Sequence, residues 1–170
     1  MPEALSDAAK KLLAAIEVPE MNPVDQQKLE HETPPRVRDE LMAHLAQRFE
    51  PPVTAPVLGR AWAFADAGNR RALEQLYLVN LRSTNHSARA ACVRALGRLG
   101  YADMDDVALI ALRDDHDEVS AAAVEILVKR ARTDALVAGL LRHVARARAA
   151  QPEFQSTREL LRAHGFDAAP

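Results

Sequence analysis

Apolar residues recur every three or four positions along most of this chain, which is the spacing of one face of an amphipathic helix. The pattern predicts ten helices, over residues 3–16, 23–29, 36–49, 57–67, 72–82, 87–99, 105–112, 118–131, 135–149 and 156–164. No stretch alternates apolar and polar residues in the manner of a half-buried strand. The predicted fold class is therefore all-α.

Residues that favour helix ends refine these boundaries. Asn22, Thr33 and Asp117 precede the second, third and eighth predicted helices, where their side chains would act as N-caps. Gly100 and Gly165 follow the sixth and tenth helices and are the expected C-terminal stops.

The chain repeats itself with a period of about 31 residues. SARAACVRAL, residues 87–96, aligns with EVSAAAVEIL, residues 118–127, and the helices before them agree at the same shift. The matched pairs are Ala90 with Ala121, Ala91 with Ala122, Cys92 with Ala123, Val93 with Val124, Leu96 with Leu127, Leu76 with Val107 and Leu81 with Leu112. Two helices per unit at this period are typical of a helical solenoid, in which small side chains let stacked helices approach closely. An alanine-rich helix bundle is the alternative, and the shared register disfavours it.

The repeat divides the chain into two regions. Residues 72–103 and 104–134 form the clearest units, and residues 135–165 form a degenerate third unit, within a predicted solenoid of residues 51–170. Residues 1–50 lie outside the repeat and are predicted to form a helical extension or cap.

The repeated stretch resembles the second helix of a short HEAT-like repeat, of the type found in phycobilisome lyases and many bacterial scaffolds. That type reads approximately Val-Arg-x-x-Ala-Ala-x-x-Leu-Gly, and Ala88-Arg89, Ala91-Cys92 and Leu96-Gly97 occupy the corresponding positions. The next copy keeps the valine as Val119 but has Ser120 instead of arginine. The resemblance implies a short right-handed α-solenoid and an arginine–aspartate ladder between units. Only Arg89 with Asp114 or Asp115 is placed to form that ladder.

Composition limits the function classes. The single cysteine excludes an internal disulfide and fits a reducing compartment. The first residues lack the pattern of a secretory signal, and no window approaches 18 uncharged apolar residues, so a cytoplasmic protein without a membrane span is predicted. Residues 128–170 carry eight Lys/Arg and only four Asp/Glu, which makes the C-terminal third basic.

The groups able to carry chemistry also have structural interpretations. Residues 114–118 (DDHDE) lack the glycine and alternating ligands of a calcium loop and suit a turn between helices. The six histidines show no zinc-binding spacing, and Cys92 aligns with a small core position. No catalytic constellation or phosphate-binding glycine loop is recognisable, so no metal, no cofactor and no enzymatic activity are predicted. Of Trp62 and Phe64, one is expected in the core and the other partly exposed.

The second helix of each unit carries two polar residues four apart, which a helix places on one side. These pairs are Arg94 and Arg98, Glu125 and Lys129, and Arg158 and Arg162. Stacked units would align them in one row, and second helices line the concave groove in the solenoids that this chain resembles. Arg142 and Arg146 extend the basic end of this row. A solvated flank, with Glu125 and Lys129 as an intrahelical ion pair, is the alternative interpretation.

The predicted function is that of a non-catalytic adaptor or scaffold whose groove docks a partner protein through an acidic segment. Two other classes stay open. The basic C-terminal third suits nucleic-acid binding, and the repeat type suits an accessory factor of an enzyme or chromophore lyase. The sequence predicts neither the partner nor the oligomeric state.

Overall fold

The computed structural model describes residues 4–47 and 52–166, and all its regular secondary structure there is helical. The ten α-helices of these ranges are α1 (Asp7–Glu17), α2 (Pro23–Glu32), α3 (Pro35–Gln47), α4 (Ala55–Ala61), α5 (Arg70–Asn80), α6 (His86–Leu99), α7 (Met104–Ala111), α8 (Asp117–Arg130), α9 (Ala135–Arg148) and α10 (Gln155–Ala163). Two short 3₁₀ turns precede α5 and α10, at Trp62–Phe64 and Pro152–Phe154. The predicted all-α class is confirmed. Glu3 and Phe49, the predicted ends of the first and third helices, lie outside the described residues.

Side-chain caps satisfy the N–H groups at the start of several helices. Asn22 accepts a hydrogen bond from the Asp25 N–H at 2.8 Å, which confirms its predicted role at α2. Asn85 accepts from the Ala88 N–H at 3.2 Å at the start of α6.

Glycines end α6 and α10 in the left-handed conformation, as predicted. Gly100 has φ = 64° and Gly165 has φ = 78°. The Tyr101 N–H then donates to the Leu96 carbonyl at 3.1 Å, and this 6→1 bond is that of a Schellman motif. A side chain at these positions would strain the backbone.

Replacing Gly100 by alanine is expected to destabilise the protein by about 1 kcal/mol, because the left-handed conformation disfavours a Cβ atom. Gly139 in α9 provides the control, since a Cβ atom added there meets nothing within 4 Å. Gly139→Ala should stabilise the fold by about 0.5–1 kcal/mol through the higher helix propensity of alanine. Urea denaturation followed by circular dichroism measures both changes in the free energy of unfolding. Changes of the same sign in the two variants would contradict the left-handed C-terminal stop at Gly100.

The predicted cap at Thr33 is wrong. Its hydroxyl donates to the Leu29 carbonyl at 2.6 Å, so Thr33 ends α2 instead of starting α3. The two residues that follow, Pro34 and Pro35, lack the N–H group that an N-cap would satisfy, and proline is well suited to the first helical turn.

The helix predicted over 57–67 is also shorter than expected, because α4 ends at Ala61. The Asp66 carboxylate accepts hydrogen bonds from the N–H groups of Gly68 and Asn69 at 2.7 and 3.0 Å. Such local bonds offer the backbone an alternative to the helix. Within the 3₁₀ turn Phe64 is buried and Trp62 is partly exposed, which confirms the division expected for this pair.

The even-numbered helices pack in series: α4 contacts α6, α6 contacts α8, and α8 contacts α10. Each of α5, α7 and α9 packs against a neighbour in this series, and α1 packs on α3 and α4. One apolar core extends from Leu12 to Leu161, so the N-terminal helices share it with the repeats.

Small residues permit the close approach of α6 and α8. A Cβ atom added to Gly97 would lie 3.0 Å from Ile126 Cδ1 on α8, closer than an ordinary van der Waals contact. Most repeat-equivalent positions on these helices are buried in both copies: Ala90 and Ala121, Cys92 and Ala123, Val93 and Val124, and Leu96 and Leu127. Ala91 and Ala122 differ, because Ala91 is only half-buried.

Arginine side chains bind the carbonyl groups at the C-terminal ends of neighbouring helices. Arg60 donates to the Ile16 carbonyl at 2.8 Å, at the end of α1. Arg38 donates to the Thr33 carbonyl at 2.9 Å at the end of α2, and Arg70 donates to the Leu99 carbonyl at the end of α6. A guanidinium suits these positions because helix C-termini carry unsatisfied carbonyls and partial negative charge.

Candidate partner-binding surface

A bidentate ion pair joins the loop before α8 to α6. Arg89 Nε and Nη2 each donate to a different carboxylate oxygen of Asp114 at 2.8 Å. Both side chains are mostly buried, at 15% and 17% exposure. Of the two carboxylates expected to pair with Arg89, Asp114 forms the ion pair. Arg89 also donates to the Ser83 carbonyl at 2.8 Å, so it binds the turn before α6 as well as the turn before α8.

This geometry keeps Asp114 charged. Burial by itself raises the pKa of Asp114, but hydrogen bonds from the Arg89 side chain and the His116 N–H hold the pKa below its ordinary value. The carboxylate then remains ionised well into the acid range, and its ion pair with Arg89 persists there.

Two histidines from successive units stack beside this ion pair. The rings of His86 and His116 lie with centroids 4.7 Å apart and planes 14° from parallel. Glu118 lies 3.1 Å from His86 Nδ1 and accepts a hydrogen bond from the Ser87 hydroxyl at 2.7 Å. The described residues contain no group of three or more His, Cys, Asp or Glu side chains arranged to hold a metal ion.

The sequence predicted that Asp117 would cap α8, but the N-cap residue is His116. The Asp117 carboxylate instead accepts hydrogen bonds from the N–H groups of Ser156 and Thr157 at 2.7 and 2.8 Å. These two groups belong to the first turn of α10, where no intrahelical acceptor exists. Burial raises the pKa of Asp117, but the hydrogen bonds from Thr157 and Ser156 lower it below its usual range.

Arg94, the first residue of the predicted basic row, is paired across the α6–α8 contact. Its Nε and Nη2 lie 3.1 and 3.0 Å from carboxylate oxygens of Glu125, and its Nη1 lies 3.9 Å from Glu118. The intrahelical pair of Glu125 with Lys129, considered as an alternative, is not what forms. The equivalent positions 94 and 125 therefore meet, and Glu125, the one carboxylate of the predicted row, pairs with Arg94.

Two further arginines of the row contact other parts of the chain. The Arg98 guanidinium lies over the Trp62 ring, with its carbon 4.7 Å from the ring centroid, which is a cation–π contact. Arg158 donates to the Ala149 carbonyl at 3.2 Å, just after α9. These contacts give Arg98 and Arg158 a role within the fold.

The other cations of the predicted row lie further along the chain. Lys129 is exposed on α8, Arg142 and Arg146 are exposed on α9, and Arg162 is exposed on α10. Arg142 and Arg146 are four residues apart and so share one side of their helix. These four of the predicted partner-binding residues therefore present positive charge to solvent in the C-terminal third.

Cys92 is fully buried within the core that contains α6, as expected from its alignment with Ala123. Burial raises the pKa of its thiol, so the reactive thiolate does not form near neutral pH. The position serves packing.

Sequence reasoning missed the arginines that bind helix ends. Arg70 reaches the end of α6, and the Arg148 guanidinium lies 3.4 Å from the Phe154 ring centroid while it donates to Gln151. The carbonyl that Arg70 binds lies 29 residues away in sequence, so no spacing rule reveals that contact.

Comparison with known proteins gives no family assignment, since neither a family model, nor a curated protein, nor a solved structure matches this chain. Within the described residues, no helix has the length and apolar character needed to cross a membrane.

Proposed function

We propose that this chain is a short HEAT-like α-solenoid that serves as a non-catalytic adaptor for a partner protein. The observation that carries the proposal is the serial packing of α4, α6, α8 and α10. It is supported by two contacts between the first turn of α6 and the turn before α8, namely the Arg89–Asp114 ion pair and the stacked rings of His86 and His116. In a bundle, equivalent residues of successive helix pairs need not meet in this order.

The partner segment that fits is acidic. Lys129, Arg142 and Arg146 are exposed cations in a region with twice as many basic as acidic residues. Such side chains steer an oppositely charged partner and fix its register, while apolar contacts supply most of the affinity. Arg94, Arg98 and Arg158 would support the surface instead of binding directly, because each already has an intramolecular contact.

A triple variant, Lys129→Glu with Arg142→Glu and Arg146→Glu, is expected to abolish retention of the partner. The measurement is affinity capture of the tagged protein from the cells that express it, with the retained proteins identified by mass spectrometry. Reversal of Arg36, Arg71 and Arg82, three exposed cations on or next to α3 and α5, is the matched control and should leave retention intact.

Nucleic acid is the competing ligand for the same cations. Its retention would fall by about a thousandfold or more between roughly 50 and 200 mM salt if six or more phosphates were contacted. A single protein retained by the wild type and lost in the triple variant supports the adaptor. Salt-sensitive retention of nucleic acid, or equal loss in the control variant, would count against it.

A further inference from the structure

A second surface lies between α7 and α9. Both helices pack against α8, and a cavity of about 330 Å³ separates their outer sides. We call this cavity the α7–α9 groove; its lining residues are Leu109, Leu112, Arg113, Leu140, His143, Val144, Ala147 and Arg148.

The floor and edges of the α7–α9 groove are apolar. Leu112 is buried at its base, whereas Leu109 is 38% exposed at its edge. The apolar surface continues outward, because Ile110 on α7 and Leu136 on α9 are 75% and 86% exposed. Leu136 lies one helical turn before Leu140 and therefore on the same side of α9. Exposed apolar side chains beside an apolar groove are typical of protein interaction sites.

The polar lining has one sign of charge. The charged residues that line the groove are Arg113 and Arg148, and no carboxylate lines it. Arg148 already contacts the Phe154 ring and the Gln151 side chain, so it adds positive charge to the wall of the groove and leaves Arg113 as the direct partner. Arg113 is exposed at the end of α7. A partner that inserts apolar side chains here gains if it carries acidic residues beside them.

We infer that the α7–α9 groove docks an amphipathic helix of a partner protein, whose apolar side chains enter the groove and whose carboxylates face the exposed Arg113. Apolar helices laid into grooves between helices are a recurrent mode of peptide recognition, read through anchors spaced at i, i+3 or i+4, and i+7. On α9 the groove residues Leu140 and Val144 are each two positions from Arg142 and so point to the other side of the helix.

The test uses a synthetic helical peptide of about four turns, with leucines at i, i+3 and i+7 flanked by glutamates and a fluorescent label. Binding to the full chain is measured by fluorescence anisotropy at two salt concentrations. We expect the acidic peptide to bind and the same peptide with lysines in place of glutamates to bind at least tenfold more weakly.

Two variants locate the binding. Arg113→Glu should weaken it about tenfold, and Ala147→Trp should abolish it by filling the groove; both residues are exposed, so the fold should tolerate them. The matched controls are Arg82→Glu, at the repeat-equivalent exposed position after α5, and Ala163→Trp on α10, and neither should change the affinity. Circular dichroism checks that all four variants are folded.

Several results would overturn the inference. Equal binding of acidic and basic peptides, equal loss in Arg113→Glu and Arg82→Glu, or no binding at all would each do so. A single-stranded oligonucleotide that displaced the peptide and lost affinity in Arg113→Glu would place nucleic acid in the groove instead. If only Lys129→Glu weakened the peptide, the basic row would be its site, and the groove inference would fail while the adaptor proposal stood.

Discussion

Replacement of Arg89 by alanine is expected to destabilise the protein by about 2 kcal/mol, because it leaves the mostly buried Asp114 carboxylate without its partner. The value lies between that of an exposed ion pair and that of a fully buried one. Removal of Arg89 also leaves the Ser83 carbonyl without the hydrogen bond that it now accepts. Urea denaturation followed by far-UV circular dichroism measures the change in the free energy of unfolding.

Two further variants make the Arg89 result specific. Arg113→Ala removes an exposed arginine just after α7 and should change stability by less than about 0.5 kcal/mol. In the double variant Arg89→Ala/Asp114→Ala the second substitution should cost less than Asp114→Ala alone, since only the hydrogen bond from the His116 N–H is left to lose. Additive losses would mean that Arg89 and Asp114 stabilise the fold independently, contrary to the geometry.

Asp117→Ala is expected to destabilise the protein by about 1–2 kcal/mol, the usual cost of losing a helix cap. The substitution removes the acceptor of the Ser156 and Thr157 N–H groups and weakens the attachment of α10 to α8. Hydrogen exchange should show the loss locally, as faster exchange of those two amides. Asp115→Ala, at an exposed neighbouring position, is the control and should leave them protected.

The Asp117 contact also has a defined pH dependence. Its pKa is lowered in the folded state, so its contribution to stability is fully present above the unfolded pKa of about 3.9 and is lost as the pH falls through the folded pKa. The stability difference between the wild type and Asp117→Ala should therefore be constant near neutral pH and shrink below about pH 4. A difference that persisted unchanged at low pH would show that the ionised carboxylate is not the acceptor.

The repeat pattern was sufficient to predict the helices because their signals are local. Amphipathic spacing places each helix, and glycine at position 100 ends α6 since only glycine takes the left-handed conformation without strain. The errors arise where a side chain had two possible partners. Asp117 is the first residue of α8, but its carboxylate accepts hydrogen bonds from N–H groups of α10, about 40 residues away in sequence.

The candidate site shows the same limit more strongly. Spacing correctly put Arg94 beside the equivalent position of the next unit, yet that position is Glu125, and the two side chains bind each other. Arg98 rests on Trp62, and Arg158 reaches the end of α9. A sequence shows that a side chain is charged, but not whether that side chain will bind a carbonyl, a ring or a carboxylate of the same chain.

The arginines at the helix ends have a practical consequence for chemical labelling. The chain has four lysines, at positions 10, 11, 28 and 129, and none of them binds a helix C-terminus or bridges two helices in the described residues. Guanidinium groups do not react with ordinary acylating reagents as amines do, since they stay protonated. Amine-directed dyes or acetylation would thus modify the lysine side chains and leave the arginine contacts between helices intact.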